Sequence, residues 1–236
     1  MNRQQTFGES NLLPLDLLVI APHPDDAEIG AGGSLARAAS EGKRTAVLEL
    51  TRGELGSLGS PEVRDREALE AAKILALAYR GNMRWTDGGV QDFPHYRLEL
   101  AQVLRDLRPQ TLMVPCGRDR HPDHVGAAQV CAGALHFAGL RRAALEGEPH
   151  KVSRVLSYQG NAPIEPNVLV NVTDHMNVWA EAILAHTSQF TGEAVSETVS
   201  PEILERREAR MMYWGTFIGV RYAEAFETRG PFEIQP

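Results

Sequence analysis

The chain has 236 residues, 43% of them hydrophobic and 23% charged, with a formal net charge of -7. That length suits one sizeable α/β domain, and the negative charge argues against a nucleic-acid partner or a basic membrane-binding face. No stretch approaches the roughly 18 apolar residues of a membrane-spanning helix, and two cysteines outside any Cys-x-x-Cys pair, Cys116 and Cys131, predict reduced, buried thiols in a cytoplasmic protein.

Residues 1–12 are polar and carry no apolar leader, which predicts a short flexible arm ahead of a single domain over residues 13–236. Residues 15–21 are apolar apart from Asp16, the pattern of a strand buried on both faces. After a break at Pro22-His23-Pro24, residues 27–40 read as a helix and residues 44–50 as a second strand. Residues 51–60 form a Gly-rich loop, and Pro61 suits the first turn of a helix running to about residue 78. A short strand is expected over 83–85, a helix over 96–107, a buried strand over 111–115 and a helix of small residues over 124–138. Further strands are expected over 152–158 and 168–172, with helices over 176–186 and 201–214. This alternation predicts a Rossmann-like α/β domain: a mostly parallel sheet with helices on both faces.

Ligands of an open parallel sheet bind beyond the carboxyl ends of its strands. Two polar clusters fall there. The first is His23-Pro24-Asp25-Asp26-Ala27-Glu28, and the second is Asp119-Arg120-His121-Pro122-Asp123-His124. Each alone reads equally well as a set of helix caps. Together they place imidazoles and carboxylates at one sheet edge, and a catalytic zinc takes three such ligands. The Gly30-x-Gly32-Gly33 run lies inside the helical segment rather than directly after the strand. It is therefore read as close helix packing and not as a dinucleotide fingerprint.

At these residues the sequence resembles the LmbE-like, or PIG-L, zinc N-deacetylases. The two motifs stand as Ala21-Pro22-His23-Pro24-Asp25-Asp26-Ala27-Glu28 and His121-Pro122-Asp123-His124. The resemblance continues through Thr51-Arg52-Gly53-Glu54, Arg64-x-x-Glu67, His186-Thr187-Ser188-Gln189-Phe190 and Tyr222-Ala223-Glu224-Ala225-Phe226. The later motifs look like the bacillithiol-biosynthesis branch, which implies deacetylation of N-acetylglucosaminyl malate. One departure is Cys116-Gly117-Arg118, standing where that branch carries aromatic residues.

The resemblance implies one Zn²⁺ per subunit on His23, Asp26 and His124, with Asp25 as general base and a homo-oligomer, commonly a hexamer. Fe²⁺ or Co²⁺ would suit the same donors. His121 is expected to stabilise the oxyanion, with Asp123 orienting its ring. Arg52 and Glu54, Arg118, Gln189 and Tyr222 are the substrate-binding candidates. The alternatives are a chitin-derived disaccharide or an inositol glycoside as substrate and, more remotely, a nucleotide-binding oxidoreductase or a non-catalytic zinc protein.

Overall fold

The computed structural model describes residues 5–8, 14–190, 202–228 and 230. The strands are β1 (Gln5–Gly8), β2 (Leu17–Ala21), β3 (Thr45–Thr51), β4 (Tyr79–Trp85), β5 (Thr111–Pro115), β6 (Arg154–Tyr158), β7 (Val168–Asn171) and β8 (Ala223–Glu227). They form one sheet in the order β1-β4-β3-β2-β5-β6-β8-β7. β4, β3, β2, β5 and β6 run parallel, whereas β1, β8 and β7 join by antiparallel pairing. The helices are α1 (Asp26–Ser40), α2 (Pro61–Ile74), α3 (Pro94–Leu107), α4 (Pro122–Gly139), α5 (Met176–Leu184), α6 (Thr187–Phe190) and α7 (Ile203–Ile218). None of the described helices is long and apolar enough to cross a membrane.

The apolar runs form strands because both of their faces are covered. In β2, Leu18 and Ile20 join the core beneath α3 and α4. Leu17, Val19 and Ala21 point the other way, into the core beneath α1. A third cluster gathers Trp179 and Ile183 of α5 with Met211 of α7 and Tyr222. Gly30 lets α1 lie close to the sheet, since a Cβ there would stand 2.3 Å from the Tyr158 ring. The glycine run is thus a packing device. Both cysteines are free and buried.

Several elements differ from expectation. The helix expected to run to about residue 78 stops at Ile74, where Ala76 turns the chain with φ 50°. β4 then starts at Tyr79, four residues before the strand predicted over 83–85. β8 was not anticipated as a strand, and the helix expected over 176–186 ends at Leu184, with the short α6 following it as a separate, unanticipated turn. Within the stretch read as an arm, Gln5–Gly8 pairs with β4. The rest of that stretch, and Pro201, lie outside the described residues.

The order of the strands fixes where chemistry can sit. From β2 the chain builds outward through β3 and β4, then returns to lay β5 on the other side of β2. The switch point is therefore the crevice between β2 and β5, beyond their carboxyl ends. Both polar clusters start there.

One buried carboxyl couples this fold to pH. Glu224 of β8 is 4% exposed and accepts the amide N–H groups of Gly33 and Ser34 at 2.8 and 2.7 Å. Burial pushes its carboxyl up to about 7. A group raised in the folded state contributes stability that is complete below its unfolded value and is lost as pH rises through the folded one. The window here runs from about 4.5 to about 7. Glu224→Gln should therefore gain stability relative to the parent across that window, by on the order of 3 kcal/mol. Urea unfolding of both proteins at its two ends measures the difference. Equal differences at both ends would remove Glu224 as the source.

Candidate metal centre

A cavity of about 410 Å³ opens at the switch point, and His23, Asp25, Asp26, His121, His124 and Gln189 all line it. His23 follows β2 directly, Asp26 opens α1, and His121 and His124 flank the start of α4. Asp26 Oδ2 lies 3.1 Å from His23 Nδ1 and 3.2 Å from His124 Nε2. Ring nitrogens of His23, His121 and His124 also lie within 4.8 Å of one another.

The far nitrogens of two of these rings are held by carboxylates. His23 Nε2 meets Asp87 Oδ1 and Asp123 Oδ2, each at 3.1 Å. His124 Nδ1 meets Asp119 Oδ2 at 3.1 Å. In the neutral rings such partners fix the N–H on their own side and leave the opposite nitrogen, here His23 Nδ1 and His124 Nε2, with its lone pair on the side of Asp26. Two imidazoles and a carboxylate oxygen converge with their backing in place, a donor set that fits a divalent cation.

The electrostatics agree. Burial would push both imidazoles down, yet Asp123, Asp26 and Asp87 hold His23 well above its ordinary value. Asp26 and Asp119 likewise raise His124 to about 9. Asp26 is held well below the usual carboxylate range; burial opposes this and the two imidazoles outweigh it. Without a cation these carboxylates collect protons on the rings, so a cation would take the place of those protons.

Asp25 differs from its neighbour. Its backbone sits at φ 107°, a left-handed region that costs a non-glycine residue about 1–3 kcal/mol. Its side chain makes no helix-capping bond. Its carboxylate instead lies 3.5 Å from Arg64 Nη2, and burial pushes it up to about 6 against the pull of Arg64. Arg64 also donates to the carbonyls of Pro24 at 2.6 Å and Gly53 at 3.1 Å.

His121 is the N-cap of α4, and its Nδ1 accepts the backbone N–H of Asp123 at 3.3 Å. The proton of the neutral ring therefore sits on Nε2. Burial, with His23 and His124 nearby, pushes its basicity down. The expected pairing of Asp123 with His121 is corrected here. The Asp123 carboxylate turns to His23 and to the N–H groups of Gly88 and Val90. Those amide bonds hold it away from the capping ring.

Four of the expected substrate contacts stand elsewhere. The Arg52 guanidinium is tied to Asp65 at 2.7 Å and Glu62 at 3.0 Å on α2. Glu54 is exposed in the same loop. Arg118 pairs with Glu227, and the Tyr222 hydroxyl donates to Glu208 at 2.6 Å. None of the four lines the cavity, nor do Cys116 and Gly117. Gln189 does line it, donating to the Leu58 carbonyl at 2.8 Å.

Other groups at the site were given no role by the sequence alone. Asp87 ends the segment after β4, and Thr86-Asp87-Gly88 is the same kind of strand-end turn that marked the two clusters. Asp119 is held by the His121 and Asn161 amides, each at 2.8 Å. A Cβ at Gly160 would stand 2.2 Å from Asp119 Oδ2, so only glycine leaves that carboxylate room against His124. Arg207 of α7 also lines the cavity, and nothing in its local sequence marked it.

Comparison with known proteins adds a family. The model described as PIG-L, GlcNAc-PI de-N-acetylase, matches residues 18–135. A diacetylchitobiose deacetylase of Thermococcus kodakarensis is 32% identical over 232 residues, covering 88% of this chain and 80% of that protein. A 1D-myo-inositol 2-acetamido-2-deoxy-alpha-D-glucopyranoside deacetylase of Catenulispora acidiphila is 31% identical over 187 residues, covering 63% of this chain and 62% of its own length. Among solved structures, the conserved protein TT1542 from Thermus thermophilus superposes with a TM-score of 0.88 at 50% identity, covering 94% of this chain and 98% of that one.

Proposed function

Because the chain belongs to the PIG-L family of de-N-acetylases, we propose that it hydrolyses the acetamide of a glucosamine conjugate, with N-acetylglucosaminyl malate of bacillithiol biosynthesis as its substrate. The observation that carries this reading is the pair of carboxylate-backed imidazoles facing Asp26, with Asp25 buried beside them. His23, Asp26 and His124 are the ligands in this reading. Zn²⁺ is the cation, one per chain, and Fe²⁺ or Co²⁺ suits the same donors. Such a cation acidifies water and polarises the acetyl carbonyl.

The chain's own groups do the rest. Asp25 accepts the proton of the attacking water as its oxygen bonds to the acetyl carbon. The His121 Nε2–H donates to the carbonyl oxygen as that oxygen gains negative charge, a contribution of about 3 kcal/mol in comparable sites. Asp25 then delivers the proton to the amine as the carbon–nitrogen bond breaks and acetate leaves. Arg64 holds Asp25 in place and keeps it ionised near neutral pH. Exposed Met212, Tyr213, Phe217 and Ile218 on α7 support assembly as a homo-oligomer.

A second substrate has an observation in its favour, since the relative from Thermococcus kodakarensis is a diacetylchitobiose deacetylase. Acetate release from N-acetylglucosaminyl malate, N-acetylglucosamine and diacetylchitobiose, measured on the zinc-loaded protein, decides between them. Preference for the malate glycoside is expected. Preference for the disaccharide would keep the chemistry and replace the substrate, and no release from any of the three would overturn the reading.

A further inference from the structure

Two guanidinium groups line the cavity, Arg64 and Arg207. Arg64 is committed, to Asp25 and to two backbone carbonyls. Arg207 is not committed in the same way. It donates to the carbonyls of Gln159 at 3.1 Å and Gly160 at 2.7 Å, both in the segment that follows β6. Among the described residues no carboxylate lies within ion-pair distance of it. The other arginines in contact with acids show the contrast: Arg37, Arg52, Arg80, Arg97 and Arg118 each have a carboxylate partner.

A half-buried cation whose hydrogen-bond partners among the described residues are backbone carbonyls alone lacks the compensation a carboxylate would give. Burial, with Arg210 of the same helix adding like charge, pushes Arg207 down to about 10, and Asp26, Asp119 and Glu224 only partly oppose this. The group remains charged at neutral pH. Its fork retains N–H groups beyond the two already used, and a planar fork matches a carboxylate in two-point contact. The carbonyls of Gln159 and Gly160 fix its orientation, and Gln159, Gly160 and Asn161 line the cavity beside it.

We propose that Arg207 is the residue that reads a carboxylate on the aglycone of the substrate, so that the cavity selects anionic N-acetylglucosaminides over neutral ones. This rests on the deacetylase reading above and assigns its specificity to α7, rather than to Arg52 or Arg118, each of which already has a carboxylate partner and lies outside the cavity lining.

The test compares a carboxylate-bearing glycoside, N-acetylglucosaminyl malate, with its dimethyl ester. The zinc-loaded wild type, Arg207→Gln and Arg207→Lys are used. Glutamine keeps a donor for the two carbonyls and removes the charge. The wild type should favour the acid over the ester in kcat/KM by about ten- to hundredfold, the usual worth of one charge-assisted contact. That ratio should fall to near one in Arg207→Gln and be partly kept in Arg207→Lys, with the difference in KM and with zinc content unchanged. Equal losses on both substrates, or loss of zinc, would make Arg207 a support for the Gly160 segment and overturn the proposal.

A binding measurement separates this outcome from failure of the deacetylase reading. Glucosaminyl malate and its dimethyl ester are titrated calorimetrically into the same proteins, with no turnover involved. Binding of the acid that depends on Arg207, in a protein that releases no acetate, would keep the carboxylate site and reject the reaction. Acetate release without any preference for the acid would do the reverse. Acetate itself is the control for the other source of a carboxylate. Relief of acetate inhibition in Arg207→Gln, with the substrate ratio intact, would show that Arg207 meets the leaving acetate and would overturn the assignment.

Discussion

His124→Ala is expected to leave the protein folded and unable to hold its metal. His124 Nε2 faces Asp26 Oδ2 at 3.2 Å while its other nitrogen is fixed by Asp119, so the ring has one free donor and one direction in which to offer it. Loss of an outer carboxylate partner typically costs about 10–100-fold in metal affinity. Removing the ligand itself should exceed that and leave substoichiometric metal after dialysis. His121→Ala is the necessary comparison, because the His121 ring also lies within reach of His23 and His124. Its Nδ1 is occupied in capping α4, and the reading above gives its Nε2–H to the oxyanion. Elemental analysis of both variants should therefore find metal in His121→Ala and little in His124→Ala, with acetate release reduced in each. The opposite pattern would put His121 in the ligand set in place of His124. Metal lost from both would favour the three-imidazole arrangement.

The residues of the candidate metal centre were legible in the sequence because most of them sit in two short contiguous motifs, each following a strand whose apolar run is unmistakable. β2, β3 and β5 are buried along most of their length, so hydrophobicity alone reveals them. β4 was recognised only at its end for a physical reason. Its early residues include Arg80, which is fully buried between Glu28 of α1 and Glu49 of β3. A buried ionic network satisfies the strand's charge, but composition shows only a charged residue and a glycine. β8 hides similarly, since Glu224 is turned into the amides of α1. The cavity's outer wall is harder still. Gln159, Gly160, Asn161 and Arg207 come from two segments far apart in the chain, and each is a single residue without a local pattern. Arg52 misled for the complementary reason: an arginine after a strand end looked free until folding brought Asp65 and Glu62 of α2 to it.

Asp25→Asn should lower kcat by about 10²–10⁴, the usual contribution of a positioned general base, while retaining metal and leaving KM for the substrate little changed. The choice of asparagine matters. Asp25 occupies φ 107°, a region that asparagine enters more readily than other non-glycine residues. The isosteric amide can also remain beside Arg64, whose guanidinium keeps its Pro24 and Gly53 carbonyl partners. What the amide cannot do is accept a proton from water. Alanine removes the same base but also places a residue poorly suited to this backbone at a buried position, so it mixes chemistry with strain. The two variants should therefore share the loss in kcat and differ in stability, Asp25→Ala being the less stable by about 1–3 kcal/mol. Steady-state kinetics with metal content, beside urea unfolding, read both effects. Near-normal turnover in Asp25→Asn would remove Asp25 as the base. If the two variants proved equally stable, the left-handed backbone at position 25 would cost the fold nothing, and its strain would have no part in setting the carboxylate against Arg64.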